Sequence, residues 1–164
     1  MGKPTKKAMK DFLRVLRPHD EFAALALAKG IWFNGRANAS DYEITRLWQQ
    51  IKRPKAGECY TNAQSFCLEV WDHSYFEGYV LAFGSIPIQH AWIVMNDRRV
   101  VDFSLEAVER KAKRAKVPCD TSNALYLGVE VPKKFVQIQL TVTGFNDSFA
   151  ELFYAKPFNP RLKK

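Results

Sequence analysis

The sequence of 164 residues contains only three cysteines and no long apolar run, and each shortage excludes a class of protein. No segment approaches the roughly 18 consecutive apolar residues of a membrane-spanning helix. The first ten residues are basic, and charges interrupt the stretch that follows before it can form the apolar core of a secretory signal. We therefore expect a cytoplasmic protein that has no membrane partner.

The cysteines are odd in number and unrelated in spacing. Cys59, Cys67 and Cys119 fit free thiols in a reducing compartment better than a disulfide framework. Three histidines are present, but neither a C-x-x-C nor an H-x-x-x-H motif accompanies them, so we expect no metal site and no cofactor. Cys67 and Cys119 are interpreted as small buried hydrophobes, and His19 and His73 as exposed side chains.

The basic excess is large and unevenly distributed. The chain has 25 lysines and arginines against 17 acidic residues, a net charge of +8. The positive charges gather at 3–10, 109–116 and 161–164. We interpret these segments as solvated tails and the outer face of one helix, although they could also attract an acidic partner protein. Nucleic-acid binding stays open, but no motif for it accompanies the charge.

The first half of the chain has helical patterns. Helices are predicted at 5–17, 20–29 and 41–53. Ser40 and Glu43 have the spacing of a capping box at the start of the third helix. The apolar residues that follow recur at helical spacing, which supports the helix: Ile44, Leu47 and Ile51.

A fourth helix is predicted to begin near Cys59 and to run to about residue 70, because apolar side chains stand 4, 7, 8 and 11 positions after Cys59. Beyond it the pattern changes. Strands are predicted at 75–83, 90–95, 100–103, 126–131 and 135–142, with a basic helix at 104–115. Helices followed by a sheet indicate one α+β domain over 1–164, with its core at about 40–145 and basic tails at both ends.

Cys59 has the sequence surroundings of a nucleophile. A thiol attacks carbonyls as the thiolate, which is favoured at a helix N-terminus and beside an imidazole. The start of the predicted helix supplies the first condition, because its unpaired N–H groups favour negative charge. The same N–H groups could stabilise an oxyanion.

His90 and Asp102 are predicted to meet across a hairpin. A loop at 96–98 would pair residue 92 with residue 102, which makes His90 and Asp102 diagonal neighbours on one face, with their β-carbons about 7–8 Å apart. A loop of two or four residues would put them on opposite faces instead.

Four short motifs occur in a fixed order: GECYTNA at 57–63, YFEGYV at 75–80, HAWIV at 90–94 and VVDFS at 100–104. This set resembles the core of the transglutaminase-like branch of the papain-like superfamily, in a compact form similar to small bacterial and phage proteins. The resemblance implies a nucleophile-bearing helix packed on a small antiparallel sheet. It also implies that Cys59 is the nucleophile, His90 the base and Asp102 the orienting acid. Phe103 stands where the family often has proline.

Five further residues are candidates for oxyanion or substrate binding: Gln50, Tyr60, Asn62, Glu77 and Trp92. Several of them also have a structural explanation. Asn62 could bond loop backbone, Glu77 could pair with a cation, Gln50 could be an exposed helix position and Trp92 a core residue.

Two functions from different classes follow. In the first, Cys59 attacks an amide or related carbonyl of a protein or peptide-like substrate, and His90 protonates the leaving amine. If water resolves the thioester, the protein is a peptidase, amidase or deamidase. If an amine resolves it, the protein is a transferase of the transglutaminase type. In the second, the chain is a non-catalytic basic binding protein on a papain-like scaffold that recognises an acidic protein or nucleic acid.

Overall fold

The structure is a computed structural model that describes residues 4–71, 73–84, 86–144 and 148–154. Within these ranges the chain is α+β, as the sequence predicts. The helices are α1 (Lys6–Leu16), α2 (Glu21–Lys29), α3 (Glu43–Lys52), α4 (Cys59–Glu69), α5 (Phe103–Arg114), α6 (Lys133–Thr143) and α7 (Ala150–Tyr154). The strands are β1 (Ile31–Asn34), β2 (His73–Leu81), β3 (Ile88–Met95), β4 (Val100–Val101) and β5 (Leu125–Val131). None of the described helices combines the length and apolar character needed to cross a membrane.

The five strands form one sheet in the order β1-β5-β2-β3-β4, with antiparallel pairing between neighbours. Alternate residues of each strand face opposite sides, so the sheet separates two apolar clusters. The larger cluster lies between the sheet and the helices and contains Phe66 of α4 and Ile93 of β3. The smaller cluster lies on the opposite face, around Trp92 and Tyr126.

Two glycines face each other where β2 pairs with β5. Gly78 is opposite Gly128 on one side and opposite His90 on the other. A β-carbon on Gly78 would lie 2.1 Å from the carbonyl oxygen of Leu127, and one on Gly128 would lie 2.4 Å from the Trp92 ring. Neither position can hold a larger residue without moving its neighbours, so the sheet beside His90 depends on both glycines.

Most predicted elements are confirmed to within about two residues at each end. The four predicted N-terminal helices, the basic helix α5 and the strands β2, β3 and β5 are all present. The sequence pattern missed the four-residue strand β1 at the sheet edge. The first basic segment lies largely in α1, which buries Met9 and Leu13, and so it is not an extended tail. The C-terminal basic segment, 161–164, lies outside the described residues.

The predicted strand at 135–142 is wrong, because this segment belongs to helix α6. Val136 and Leu140, one helical turn apart, are buried, whereas Ile138 and Val142 are exposed. Alternating β-branched residues resembled a half-buried strand, but burial follows the helical period.

The start of α3 also differs from the prediction. The Asp41 carboxylate accepts a hydrogen bond from the backbone N–H of Asn38 (3.2 Å), ahead of a short 3-10 helix at Ala39–Asp41. Ser40 lies inside that helix, so it does not cap α3. Trp48 supplies the buried surface of α3. The three apolar residues whose spacing indicated the helix are exposed: Ile44, Leu47 and Ile51.

Two of the burial predictions are wrong. His73 is buried, with its ring 4.9 Å from that of Phe66, and not exposed. Cys119 is partly exposed and not buried. Cys67 is buried and His19 is exposed, as predicted. Strand patterns fix which face a side chain occupies, but they do not show whether another element covers that face.

Candidate active site

Cys59 is the first residue of α4, at the edge where this helix meets β3. Gly57, with a φ of 84°, allows the chain to turn into the helix. The side chain of Glu58 makes no capping bond to the helix N-terminus. The first-turn N–H groups of α4 are therefore not taken up by a side-chain cap, and they surround the thiol with positive potential.

The thiol of Cys59 is close enough to His90 and to the backbone N–H of Ala91 for both groups to act on its pKa. Burial alone would raise the pKa of the Cys59 thiol. The hydrogen bond from His90, the imidazolium charge and the Ala91 N–H together outweigh burial and lower that pKa. The site therefore favours the thiolate, which is the nucleophilic form.

His90 lies near the start of β3 and joins Cys59 to Asp102. Its Nε2 atom is 2.7 Å from Oδ2 of Asp102, and both residues are almost completely buried. Because Nε2 is engaged with Asp102, Nδ1 is the ring nitrogen available to the Cys59 sulfur. Burial opposes a charged imidazole, but the Asp102 carboxylate and the Cys59 sulfur raise the pKa of His90 to about 10. The raised His90 pKa and the lowered Cys59 pKa describe the same imidazolium–thiolate pair.

The predicted hairpin between β3 and β4 brings His90 and Asp102 together. Ile93 pairs with Val101, and the N–H of Met95 bonds the carbonyl of Arg99, so the loop is the three-residue loop 96–98. The predicted register is confirmed. Strand β4 is shorter than predicted, however, and Asp102 is the N-cap of α5 and not a strand residue.

Four donors hold the Asp102 carboxylate in place. Oδ1 accepts the backbone N–H groups of Ser104 (3.1 Å) and Leu105 (3.0 Å), and Oδ2 accepts the Tyr126 hydroxyl (3.1 Å) as well as His90. Burial would raise the pKa of Asp102, but the His90 charge and these bonds lower it. Asp102 therefore stays ionised and has one orientation, set by the helix it caps.

Tyr126 is the residue of this site that sequence reasoning missed. It is fully buried near the start of β5 and packs on Trp92 with ring centroids 5.1 Å apart. Its strand was predicted, but nothing in the local pattern showed that β5 would pair with β2 and bring Tyr126 near Asp102.

Asn62 connects the elements on either side of Cys59. Its Nδ2 atom donates to the carbonyl of Lys55 and to Oγ of Ser104, each at 2.7 Å, and its Oδ1 atom accepts the Lys55 N–H (3.3 Å). Both amide hydrogens are engaged, so Asn62 positions the loop before Cys59 and the start of α5. This is the loop-bonding role considered from the sequence.

Glu77 is completely buried on β2 and holds the segment that leads into α7. Its carboxylate accepts bonds from the Tyr75 hydroxyl (2.7 Å), from the Ser148 hydroxyl and from the N–H groups of Phe149 and Ala150 (both 2.9 Å). The predicted pairing with a cation is not found among the described residues. Burial raises the pKa of Glu77 despite the four donors.

The other three candidates occupy different environments. Tyr60 follows Cys59 in α4, and burial raises the pKa of its hydroxyl, which has no partner within the described ranges. Trp92 is a core residue of the smaller cluster and supports Tyr126, so it does not face a substrate. Gln50 is exposed on α3, and its proposed oxyanion role stays a prediction.

The described part of the chain contains no group of three or more histidine, cysteine or acidic side chains that could hold a metal ion. A groove of about 830 Å³ lies between the end of α3, the loop that leads to Cys59 and the side of α5, and its lining includes Ala56, three residues before Cys59. Cys59, His90 and Asp102 do not line it.

Comparisons with protein-family models, with curated proteins and with solved structures found no match for this chain.

Proposed function

We propose that this protein is a cysteine-dependent acyl-transfer enzyme that acts on an amide or related carbonyl through a thioester. The observation that carries the proposal is the placement of His90 between two groups: it lies 2.7 Å from the Asp102 carboxylate, and its charge lowers the pKa of the Cys59 thiol. A nucleophile, a base and a group that orients the base are what this chemistry needs. We also propose that the chain belongs to the transglutaminase-like branch of the papain-like superfamily, which the order of its motifs supports.

The first half of the reaction forms the thioester. The Cys59 thiolate attacks the carbonyl carbon, a carbon–sulfur bond forms, and an electron pair moves to the carbonyl oxygen. The first-turn N–H groups of α4, including that of Cys59, are suitably charged to receive this oxyanion. Collapse of the intermediate breaks the carbon–nitrogen bond, and the departing amine takes the proton that His90 carries.

The second half releases the acyl group. Neutral His90 takes a proton from water or from an acceptor amine, which attacks the thioester carbonyl. The carbon–sulfur bond breaks, and the thiolate and imidazolium are restored. Asp102 supports the imidazolium in both halves without taking its proton.

A binding protein on the same scaffold is the second candidate, and it is favoured by the groove between α3 and α5, because Arg53, Arg110, Lys111 and Arg114 line it. On that account the groove holds an acidic partner and the triad is structural. The two candidates differ in one respect that can be measured, which is whether Cys59 forms a covalent acyl intermediate.

The test uses p-nitrophenyl acetate as a small acyl donor, with peptide mass spectrometry to locate the acetyl group. The enzyme account predicts a burst of p-nitrophenol and rapid acetylation of Cys59 alone. Cys59→Ala should abolish the burst, and Cys119→Ala, which removes another partly exposed thiol, should leave it unchanged. Acetylation of Cys119 as fast as that of Cys59 would remove the basis for the enzyme account.

A further inference from the structure

The groove between α3 and α5 is strongly basic. It is lined by Arg53, Pro54 and Ala56 on one side and by Arg110, Lys111 and Arg114 on the other, and we call these six residues the basic groove. Arg110 is partly neutralised, because it lies 3.8 Å from Glu106 and donates to the carbonyl of Pro54. Arg53, Lys111 and Arg114 have no ion pair within the described ranges.

Both walls of the basic groove belong to elements that also carry a residue of the candidate active site. One wall belongs to the loop that ends at Glu58 and Cys59, and the other is a face of α5, which Asp102 caps. Asn62 ties the two walls together through Lys55 and Ser104. At a rise of about 1.5 Å per residue, the α5 side of the groove extends from roughly 8 Å to roughly 18 Å beyond Asp102 along the helix. An extended peptide covers that interval with about three residues.

We propose that the basic groove binds an acidic stretch of the protein whose carbonyl is attacked by Cys59. This inference rests on the proposed function, because it assigns the substrate class of that site. Three arginines and a lysine along one groove suit carboxylates, which arginine can bind through two parallel hydrogen bonds. Gln50, which also lines the groove, adds a neutral donor for peptide carbonyls, whereas the Gln49 amide donates to Glu106.

The lining favours an acidic peptide over a nucleic acid. Single-stranded nucleic acids are held by aromatic side chains that stack on the bases as well as by cations. None of the residues lining this groove is aromatic. An acidic peptide also carries the amide bonds that the triad is built to attack, whereas a nucleic acid does not.

The structure offers a matched pair of double variants that separates the groove from net charge. Arg53 and Arg98 both have left-handed backbone conformations, with φ of 50° and 66°, so glycine suits both positions. Lys111 and Lys113 lie on α5, but only Lys111 lines the basic groove. R53G/K111Q removes two positive charges that line the basic groove, and R98G/K113Q removes two positive charges that do not. Neither double variant strains the backbone.

The experiment compares two peptide chloromethyl ketones that differ only in charge. One carries four glutamates followed by three glycines, and the other has four serines in place of the glutamates. Rates of Cys59 alkylation are followed by mass spectrometry in the full-length wild type and in both double variants. We expect the acidic peptide to react faster than the serine peptide in the wild type. R53G/K111Q should reduce that preference about three- to tenfold, as expected for the loss of two exposed ion pairs, and R98G/K113Q should preserve it.

If both double variants lose the preference for the acidic peptide to the same extent, the preference reflects general attraction to a basic protein, and the proposal is overturned. The absence of a preference in the wild type would also overturn it, as would stronger protection of Cys59 by oligothymidylate than by oligoglutamate of the same length. Iodoacetamide labelling of Cys59 in the same samples separates this result from failure of the proposed function. If Cys59 reacts with iodoacetamide faster than an ordinary thiol but shows no preference for the acidic peptide, only the proposed role of the basic groove is rejected. If Cys59 reacts with iodoacetamide like an ordinary thiol, the proposed enzymatic function is rejected.

Discussion

Nε2 of His90 lies 2.7 Å from Oδ2 of Asp102, and the two residues are 4% and 1% exposed. A buried pair of this kind is retained only when both partners are satisfied, because each charge alone would be costly in the protein interior. Asp102 is satisfied by the start of α5 and by Tyr126, and His90 by Cys59. The same bonds that make the pair tolerable inside the protein also fix the imidazole toward the thiol.

Asp102→Asn should weaken the nucleophile while keeping the fold. Asparagine can still accept the N–H groups of Ser104 and Leu105, which leaves its amide N–H₂ facing His90 and removes the charge that supports the imidazolium. The pKa of Cys59 should rise, which lowers the thiolate fraction and shifts the pH profile of iodoacetamide labelling to higher pH. Asp97→Asn, at the exposed hairpin turn, is the control and should label like the wild type. Unchanged labelling in Asp102→Asn would show that Asp102 only caps α5.

Tyr126→Phe tests the residue that the sequence did not reveal. It removes one hydrogen bond to the Asp102 carboxylate and keeps the ring packed on Trp92, so the free energy of unfolding should fall by about 1–3 kcal/mol. Because the Asp102 carboxylate loses a hydrogen-bond donor, its pKa should rise. Asp102 then becomes protonated at a higher pH and stops supporting the His90 imidazolium there. The acid limb of Cys59 labelling, which is the pH range where labelling falls as the solution is acidified, should therefore shift to higher pH. Tyr79→Phe, which removes a bond to Asp20 instead, should leave that limb in place. If Tyr126→Phe lowers the free energy of unfolding but leaves the pH profile of Cys59 labelling unchanged, Tyr126 supports the fold and does not act on the site through Asp102.

Gly78→Ala should destabilise the sheet beside His90. The new β-carbon would meet backbone atoms of Leu127 and Gly128 at 2.1 Å and 2.4 Å, and backbone cannot rotate away as a side chain can. We expect a loss of about 3 kcal/mol in urea unfolding, at the upper end of typical overpacking costs. Gly84→Ala, in open space with a φ of 72°, should cost only about 1 kcal/mol. Equal costs would mean that β2 and β5 are not closely paired there.

The stability of the Cys59→Ala variant should depend on pH through His90. Burial opposes a charged His90, but the Asp102 carboxylate, which raises the pKa of His90 more than the Cys59 sulfur does, is kept in this variant, so we expect that pKa to stay above its ordinary value of 6.5. A histidine with a raised pKa stabilises the fold fully below pH 6.5 and loses that contribution as pH rises through its folded pKa. Urea unfolding should therefore show that His90→Gln destabilises Cys59→Ala more at pH 6 than at pH 9. His19→Gln, on the exposed surface, should give no such difference, and a larger effect of His90→Gln at pH 9 would contradict the assignment.

The sequence predicted the features of the site that depend on residues close to one another along the chain. The start of α4 follows from helical spacing after Cys59, and the meeting of His90 with Asp102 follows from strand parity and the length of one loop. Both depend on residues at most 12 positions apart. Strand β4 is shorter than predicted, but His90 and Asp102 still meet, because Asp102 follows β4 directly and caps α5.

The parts that the sequence did not predict depend on distant pairing. Tyr126 reaches Asp102 only because β5 inserts between β1 and β2, an order that no local pattern specifies. The sequence suggested that Glu77 could pair with a cation, but its carboxylate accepts hydrogen bonds from residues 148–150, more than 70 positions away. Long-range hydrogen bonding of this kind leaves no periodic signal in the sequence.

The most direct test of the account is the pH dependence of iodoacetamide labelling at the three cysteines, in the wild type and in His90→Ala, with folding checked by circular dichroism. Cys67 and Cys119 are internal controls, because burial raises the pKa of Cys67 to about 11 and raises that of Cys119 as well. We predict that Cys59 labels first, with an apparent pKa well below about 8.5, and that His90→Ala removes this advantage. Labelling of Cys59 in the wild type no faster than that of Cys119, or an unchanged profile in folded His90→Ala, would contradict the account.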